Sequence, residues 1–243
     1  MSRKIVISKS KYMAGLQCLK YLWYRVNASG EIPEPDFAAR FIFNQGTLVG
    51  EYAKKLYPGG IDLGKISDLK EQLVKTSELL SERKPLFEAS CSSGSVYSRA
   101  DILVPADKDR WDIIEVKSST RLKEEHIQDV SFQKYCFDKA GIKIRKCYLA
   151  NINNQYIRKG DIDSGQLFKK NDITEGVEEA LIGIEDRIEG MLEAAAGTSP
   201  PEIPIGKHCS EPYSCPLKGK CWEFLPDNHI FNLYGNKGKA AEL

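Results

Sequence analysis

A mixed α/β sheet flanked by helices on both sides is the fold class that this sequence predicts, on three observations. Apolar spacing runs near 3.6 from the N-terminus to about residue 82, then switches to 2 between Phe87 and Ser118. A helical stretch follows, and after it another strand-like run, Ile144 to Ile152. Strands joined by hairpins, then a strand reached through a crossover helix, give a sheet with both antiparallel and parallel neighbours. The 243 residues suit one large domain, or a core with an appended lobe. We read residues 1–243 as a single domain with its core at about 84–163.

The elements follow in chain order. Lys4 to Ile7 reads as a short strand and Ser8 as the N-cap of a helix from Lys9 to Val26, with Tyr12, Leu16, Leu19 and Trp23 at helical spacing. A proline-rich break, Ile32 to Asp36, precedes a helix from Phe37 to Leu56 that Pro58-Gly59-Gly60 closes. Ser67 to Glu82 is a further helix. Phe87 to Cys91 and Val96 to Pro105 read as antiparallel strands, and Trp111 to Ser118 joins them through the turn Asp107-Lys108-Asp109. A helix from Glu124 to Ala140 stops at Gly141. Ile144 to Ile152 is the fourth strand of this region and Tyr156 to Ile162 the fifth. One long helix, Thr174 to Ala196, ends at Gly197, and Pro200-Pro201 opens an extended tail.

Composition is that of an ordinary globular chain, 42% hydrophobic and 28% charged, with a formal net charge of +1. No global charge announces a polyanion, so phosphate contacts would need locally gathered Lys and Arg. No run of 18 uncharged apolar residues exists, which argues against a membrane span. Met1 to Ser10 lacks an apolar targeting core, so a cytoplasmic location is expected. Seven cysteines, odd in number and unevenly spread, then point to metal ligation before disulfides.

The chemistry candidate is Asp101 followed by Glu115-Val116-Lys117. Side chains alternate along a strand, so Glu115 and Lys117 share a face about 6.6 Å apart, while Ile114 and Val116 face the other way. Asp101 lies on the preceding strand, and pairing of the two would bring two carboxylates and one ammonium together. A hard divalent cation, Mg²⁺ or Mn²⁺, neutralises such carboxylates and activates water. A surface ion pair is the plain alternative for any isolated pattern of this kind. Gln133 falls on a helical stripe with Val130, Phe137 and Ala140, a polar group among apolar ones. His126 is on the same helix and reads as solvent-facing.

Taken in order, these residues resemble the RecB-type branch of the PD-(D/E)xK nuclease superfamily, which implies a restriction-endonuclease-like core. The resemblance assigns the metal to Asp101, Glu115 and the carbonyl of Val116, assistance to Lys117, and a site contact to Gln133. The family's early metal-binding His falls at Gly50 here; the neighbouring Glu51 supplies a carboxylate in its place. The family's Tyr four positions after the Gln is Phe137 here, and Tyr135 stands two positions along.

Cys209-x5-Cys215-x5-Cys221 lies in a Pro- and Gly-containing loop, and Cys18 is the best fourth ligand. Cys91, Cys136 and Cys147 fall on expected strands or the crossover helix and read as small buried hydrophobes. One cysteine near the start and three near the end resemble the iron–sulfur members of the same superfamily, among them CRISPR-adaptation exonucleases and AddB-type recombination nucleases. That resemblance implies a structural [4Fe–4S] cluster in a lobe of residues 8–26 with 200–243, and partners in DNA repair or CRISPR adaptation. Zn²⁺ on the same four sulfurs, or on three with His208, is the rival.

The first helix interleaves Tyr12, Tyr21, Trp23 and Tyr24 with Lys9, Lys11, Lys20 and Arg25. Lys20, Tyr21 and Tyr24 suit single-strand binding, where bases stack and phosphates pair, and Tyr135 is a further candidate. Aromatics at helical spacing are more often core, the reading taken for Trp23. Lys143 to Lys146 reads as a solvated turn. The activity implied is a metal-dependent deoxyribonuclease, an exonuclease on single-stranded or frayed DNA. A catalytically silent nucleic-acid-binding or assembly subunit, favoured by Gly50, is the alternative.

Overall fold

The computed structural model describes residues 4–229 and 231; the expected lobe's end, at 230 and 232–243, and Met1 to Arg3 lie outside the described residues. Strand β1 is short, Ile7–Ser8, and α1 spans Lys9–Gln17 with Ser8 Oγ accepting from the Lys11 N–H. α2 spans Leu19–Asn27. The single helix expected from Lys9 to Val26 is thus two, interrupted at Cys18, whose backbone is extended at φ −166° and ψ 122°. The interruption orphans no hydrogen bond of that residue. The Cys18 N–H donates to the Ala14 carbonyl at 2.8 Å, and its own carbonyl accepts from the Leu22 N–H at 3.0 Å.

Asp36 caps α3, Phe37–Lys54, and Asp68 caps α4, Leu69–Leu79, with β2 at Ile61–Asp62 between them. β3 spans Leu86–Ser93, β4 Val96–Pro105 and β5 Trp111–Lys117. The crossover helix α5 is Glu124–Lys139 and leads to β6, Ile144–Ile152. Tyr156 to Ile162, expected as a strand, is a loop instead. Its turns close on themselves: the Asn153 N–H donates to the Leu167 carbonyl and the Asp163 N–H to the Tyr156 hydroxyl. The short α6, Ser164–Leu167, and β7, Phe168–Asp172, follow. The expected helix from Thr174 to Ala196 is broken into α7, Thr174–Leu181, and α8, Ile184–Ala196, because Gly183 takes the left-handed φ of 71°. A small α9, Lys218–Trp222, lies in the tail.

The chain divides into two compact units, one formed by residues 35–184 and the other by the segments up to Glu34 and from Glu185 onward. In the larger unit the strands run in the order β2-β3-β4-β5-β6-β7. β5 and β6 are parallel across α5, while β3-β4, β4-β5 and β6-β7 are antiparallel. This is the mixed sheet expected. One face carries Phe87, Ile102, Ile114, Ala150 and Phe168, packed with Ala53, Val49 and Tyr52 of α3. The opposite face carries Leu103, Ile113, Cys147 and Leu149, all fully buried on the side of α5 and α7. In the smaller unit α1 and α8 approach closely at Gly15, where any side chain would meet Met191. Arg187 Nε donates to the Tyr12 hydroxyl at 3.2 Å and Trp23 Nε1 to the Gly197 carbonyl at 2.8 Å.

Candidate functional site

Asp101 sits where the ladder from β4 to β3 skips a rung and the ladder from β4 to β5 ends. On the β3 side, Phe87 pairs with Ile102 and Ala89 with Ala100, but Glu88 between them takes φ 57°, a left-handed conformation unusual for a side-chain-bearing residue. On the β5 side, the pairing runs from Pro105↔Trp111 to Ile102↔Ile114 and goes no further. The Asp101 carboxylate then takes the place of a backbone partner, accepting from the Val116 N–H at 2.8 Å. The ladder ends here, and a carboxylate is fixed at its end.

Glu115 is 1% exposed, on the face that α5 covers. Its Oε2 accepts from Gln133 Nε2 at 2.7 Å and its Oε1 from Lys117 Nζ at 2.6 Å. Asp129, one turn before Gln133 on α5, completes the set: its Oδ2 accepts from Lys117 at 2.6 Å and its Oδ1 from Gln133 at 3.1 Å. Gln133 Oε1 is buried and has no hydrogen-bond partner among the described residues. Burial opposes a charge on Lys117, but Glu115, Asp129 and Asp101 outweigh that and hold its ammonium far above the usual lysine range. Lys117 is therefore a cation and a donor at neutral pH, not a base. Three carboxylates and one ammonium carry a formal charge of two negatives in this corner. Their oxygens are the hard donors that Mg²⁺ or Mn²⁺ takes, so the set suits such an ion in kind. Lys117 stands between Glu115 and Asp129, and among the described residues no three His, Cys, Asp or Glu groups already form a metal-holding cluster.

The structure thus brings Asp101, Glu115, Val116, Lys117 and Gln133 together and adds Asp129. A signal for Asp129 was present, since it lies four residues before Gln133 and shares its helical face. Glu51 is placed differently: its side chain is 60% exposed and pairs with Lys54 at 2.6 Å, which also binds Asp62. The reason is the packing of α3, which turns Val49, Tyr52 and Ala53 to the sheet and leaves Glu51 outward. His126, expected to face solvent, is buried, with Nδ1 unpartnered among the described residues. Burial and the Lys117 charge lower its pKa, so it is neutral at pH 7. Tyr135 is half-buried, with the Lys139 ammonium 5.6 Å from its ring.

The four expected cysteine ligands, Cys18, Cys209, Cys215 and Cys221, line one small cavity of the smaller unit, with His208 at its wall. The break in the first helix turns Cys18 into this cavity's lining, and Gln17 ties the tail down by donating to the carbonyls of His208 and Tyr213 at 2.8 and 2.6 Å. Burial pushes the Cys215 thiol up to about 11, with the other three cysteines adding to the shift. Lys20 and Tyr21 line the same cavity. Tyr24 is not on the surface: it packs with Cys215 and Leu217 beneath Lys220, and Trp23, expected as core, is only half-buried. The Lys143–Lys146 run is paired, Lys143 with Asp109, Arg145 with Asp112 and Lys146 with Asp172.

No family model matches the chain, and no curated protein matches it. Among solved structures, that of SSO0001 is 15% identical, covering 93% of this chain and 90% of the other at a TM-score of 0.44. An alkaline exonuclease from Laribacter hongkongensis is 14% identical, covering 80% of this chain and 95% of the other at a TM-score of 0.39. With both scores below 0.5, functional assignment rests on the side chains described above.

Proposed function

We propose that this protein is a metal-dependent DNA nuclease of the PD-(D/E)xK class, an exonuclease on single-stranded or frayed ends, with a structural [4Fe–4S] cluster on Cys18, Cys209, Cys215 and Cys221. The observation that carries the nuclease reading is the ring of four hydrogen bonds, 2.6 to 3.1 Å long, that links Glu115, Lys117, Asp129 and Gln133 beside a fixed Asp101. A divalent cation held by Asp101, Glu115 and the Val116 carbonyl would supply a water acidified for attack on phosphorus. Lys117, kept protonated by its carboxylates, orients that water and offsets the negative charge that builds on the phosphate oxygens. Gln133 and Asp129 fix the Glu115 and Lys117 side chains, which reduces the reorganisation needed in the transition state.

The cluster reading is supported by four cysteines that line one cavity, although among the described residues no three of them form a metal-holding group; Zn²⁺ is its rival because thiolate and imidazole ligands suit it as well in kind. A silent binding subunit is the second reading, favoured by Gly50 and by the outward Glu51. The two part on one assay. End-labelled single-stranded DNA incubated with Mn²⁺ is shortened, and a chelator stops it, if the site is catalytic; DNA bound but left intact supports the silent subunit.

A further inference from the structure

The candidate site does not end at Lys117. Lys117 is registered against Asn151 on β6, and beyond the strand the Ile152 N–H still reaches the Ser119 carbonyl at 3.0 Å. There a groove of about 800 Å³ opens, walled by Thr120 and by the segment from Asn153 through α6 to Lys169 at the start of β7. Thr120 lies three residues beyond Lys117, at most about 11 Å even if the chain is fully extended. The groove is therefore a neighbour of the catalytic candidates.

Its chemistry is specific. Asn154 and Gln155 are exposed, and their side-chain amides hydrogen-bond to nothing among the described residues. Lys159 and Lys169 are exposed and have no ion pair among the described residues. Of the acids lining the groove, Asp163 is engaged by the Gly165 and Gln166 amides and the Gln166 side chain; Asp161 is the other. The half-buried Tyr156 is anchored twice, its N–H donating to the Asn153 carbonyl at 3.1 Å and its hydroxyl accepting from the Asp163 N–H at 3.0 Å. Asn153 is itself pinned through Nδ2 to the Gln166 carbonyl. A fixed aromatic ring, amides able to meet base edges, and lysines for the backbone are the ingredients of a single-strand platform, already ordered before binding.

We propose that this loop is the binding track for unpaired nucleotides, a base stacking on Tyr156 while Lys159 and Lys169 take the flanking phosphates. The inference deepens the nuclease reading by placing its substrate strand, and it rests on that reading for the direction of the strand toward Lys117. The test is fluorescence anisotropy with a short labelled oligodeoxythymidine and chelator present, on the full chain. Tyr156→Ala is expected to weaken binding about tenfold, Tyr156→Phe to leave it within about twofold, and a Lys159→Ala/Lys169→Ala pair to lower the salt dependence. With Mn²⁺, Tyr156→Ala and the double lysine variant are expected to raise KM and to spare kcat. Unchanged affinity in both Tyr156→Ala and the double lysine variant overturns the track, whether or not the wild type cleaves. Tyr156-dependent binding without any cleavage keeps the track and removes the nuclease reading.

Discussion

Lys117 is placed to act as a cation because three carboxylates surround it, and removing one changes what it can do. Asp129→Asn keeps the shape and the contact to Gln133 but removes a charge that orients the ammonium. It is expected to lower kcat about 10- to 100-fold with near-normal DNA affinity, measured by single-turnover cleavage at saturating substrate. An unchanged kcat would remove Asp129 from the positioning set. Much of this corner was legible beforehand: alternation put Glu115 and Lys117 on one face, and an apolar helical stripe exposed Gln133 as the odd member. Asp129 is legible by the same argument, one turn before Gln133 on the same helical face. The left-handed Glu88 was not legible, because nothing in a run of strand residues announces which of them leaves the ladder.

At the scale of elements, apolar periodicity located the strands that carry the site, since each buries a full alternating face. It failed where burial is slight. Phe168–Asp172 buries one residue, Phe168, and has no alternating apolar face to mark it as a strand, yet it pairs along the edge of the sheet with β6. The helix break at Cys18 left no trace either, because its neighbours keep helical spacing on both sides; the break at Gly183 did have a glycine to mark it. The junction of β7 and α7 depends on Asp172. Lys146, together with the Thr174 hydroxyl and N–H, holds that carboxyl at about 2, below its ordinary 3.8. A carboxyl lowered by folding stabilises the fold above its unfolded pKa, and the contribution fades as pH falls toward the folded value. Because the pair is largely exposed the effect is small. Asp172→Asn is expected to lower the melting temperature by about 1–2 °C at neutral pH, with the difference from wild type shrinking as pH is taken from about 5 to about 3. A difference that persists undiminished in acid would assign the effect to lost hydrogen bonding instead of charge.

At the scale of the whole molecule, one compact unit is built from both ends of the chain, and its cysteines come from residues 18 and 209–221. Composition marks those cysteines as candidate metal ligands, whereas the divisions of the unit, after Glu34 and after Ile184, fall in segments that no cysteine marks. The proposed metal on these four thiols would close a loop of about 190 residues, so its loss would be felt as stability. Cys18→Ser is expected to reduce bound metal and lower the melting temperature of protein purified without oxygen, read by iron, zinc and sulfide content beside a thermal scan. Iron and sulfide in equal amounts support the cluster, zinc alone its rival, and wild-type metal content in the variant removes Cys18 from the ligand set. The central claim is the phosphodiester chemistry of the Asp101–Glu115–Lys117 corner. It is tested most directly by cleavage of end-labelled single-stranded DNA in Mn²⁺, wild type against an Asp101→Ala variant shown to be folded by circular dichroism. The account predicts shortening by the wild type and a loss of at least about a hundredfold in the variant; equal cleavage by both, or none by a folded wild type, would contradict it.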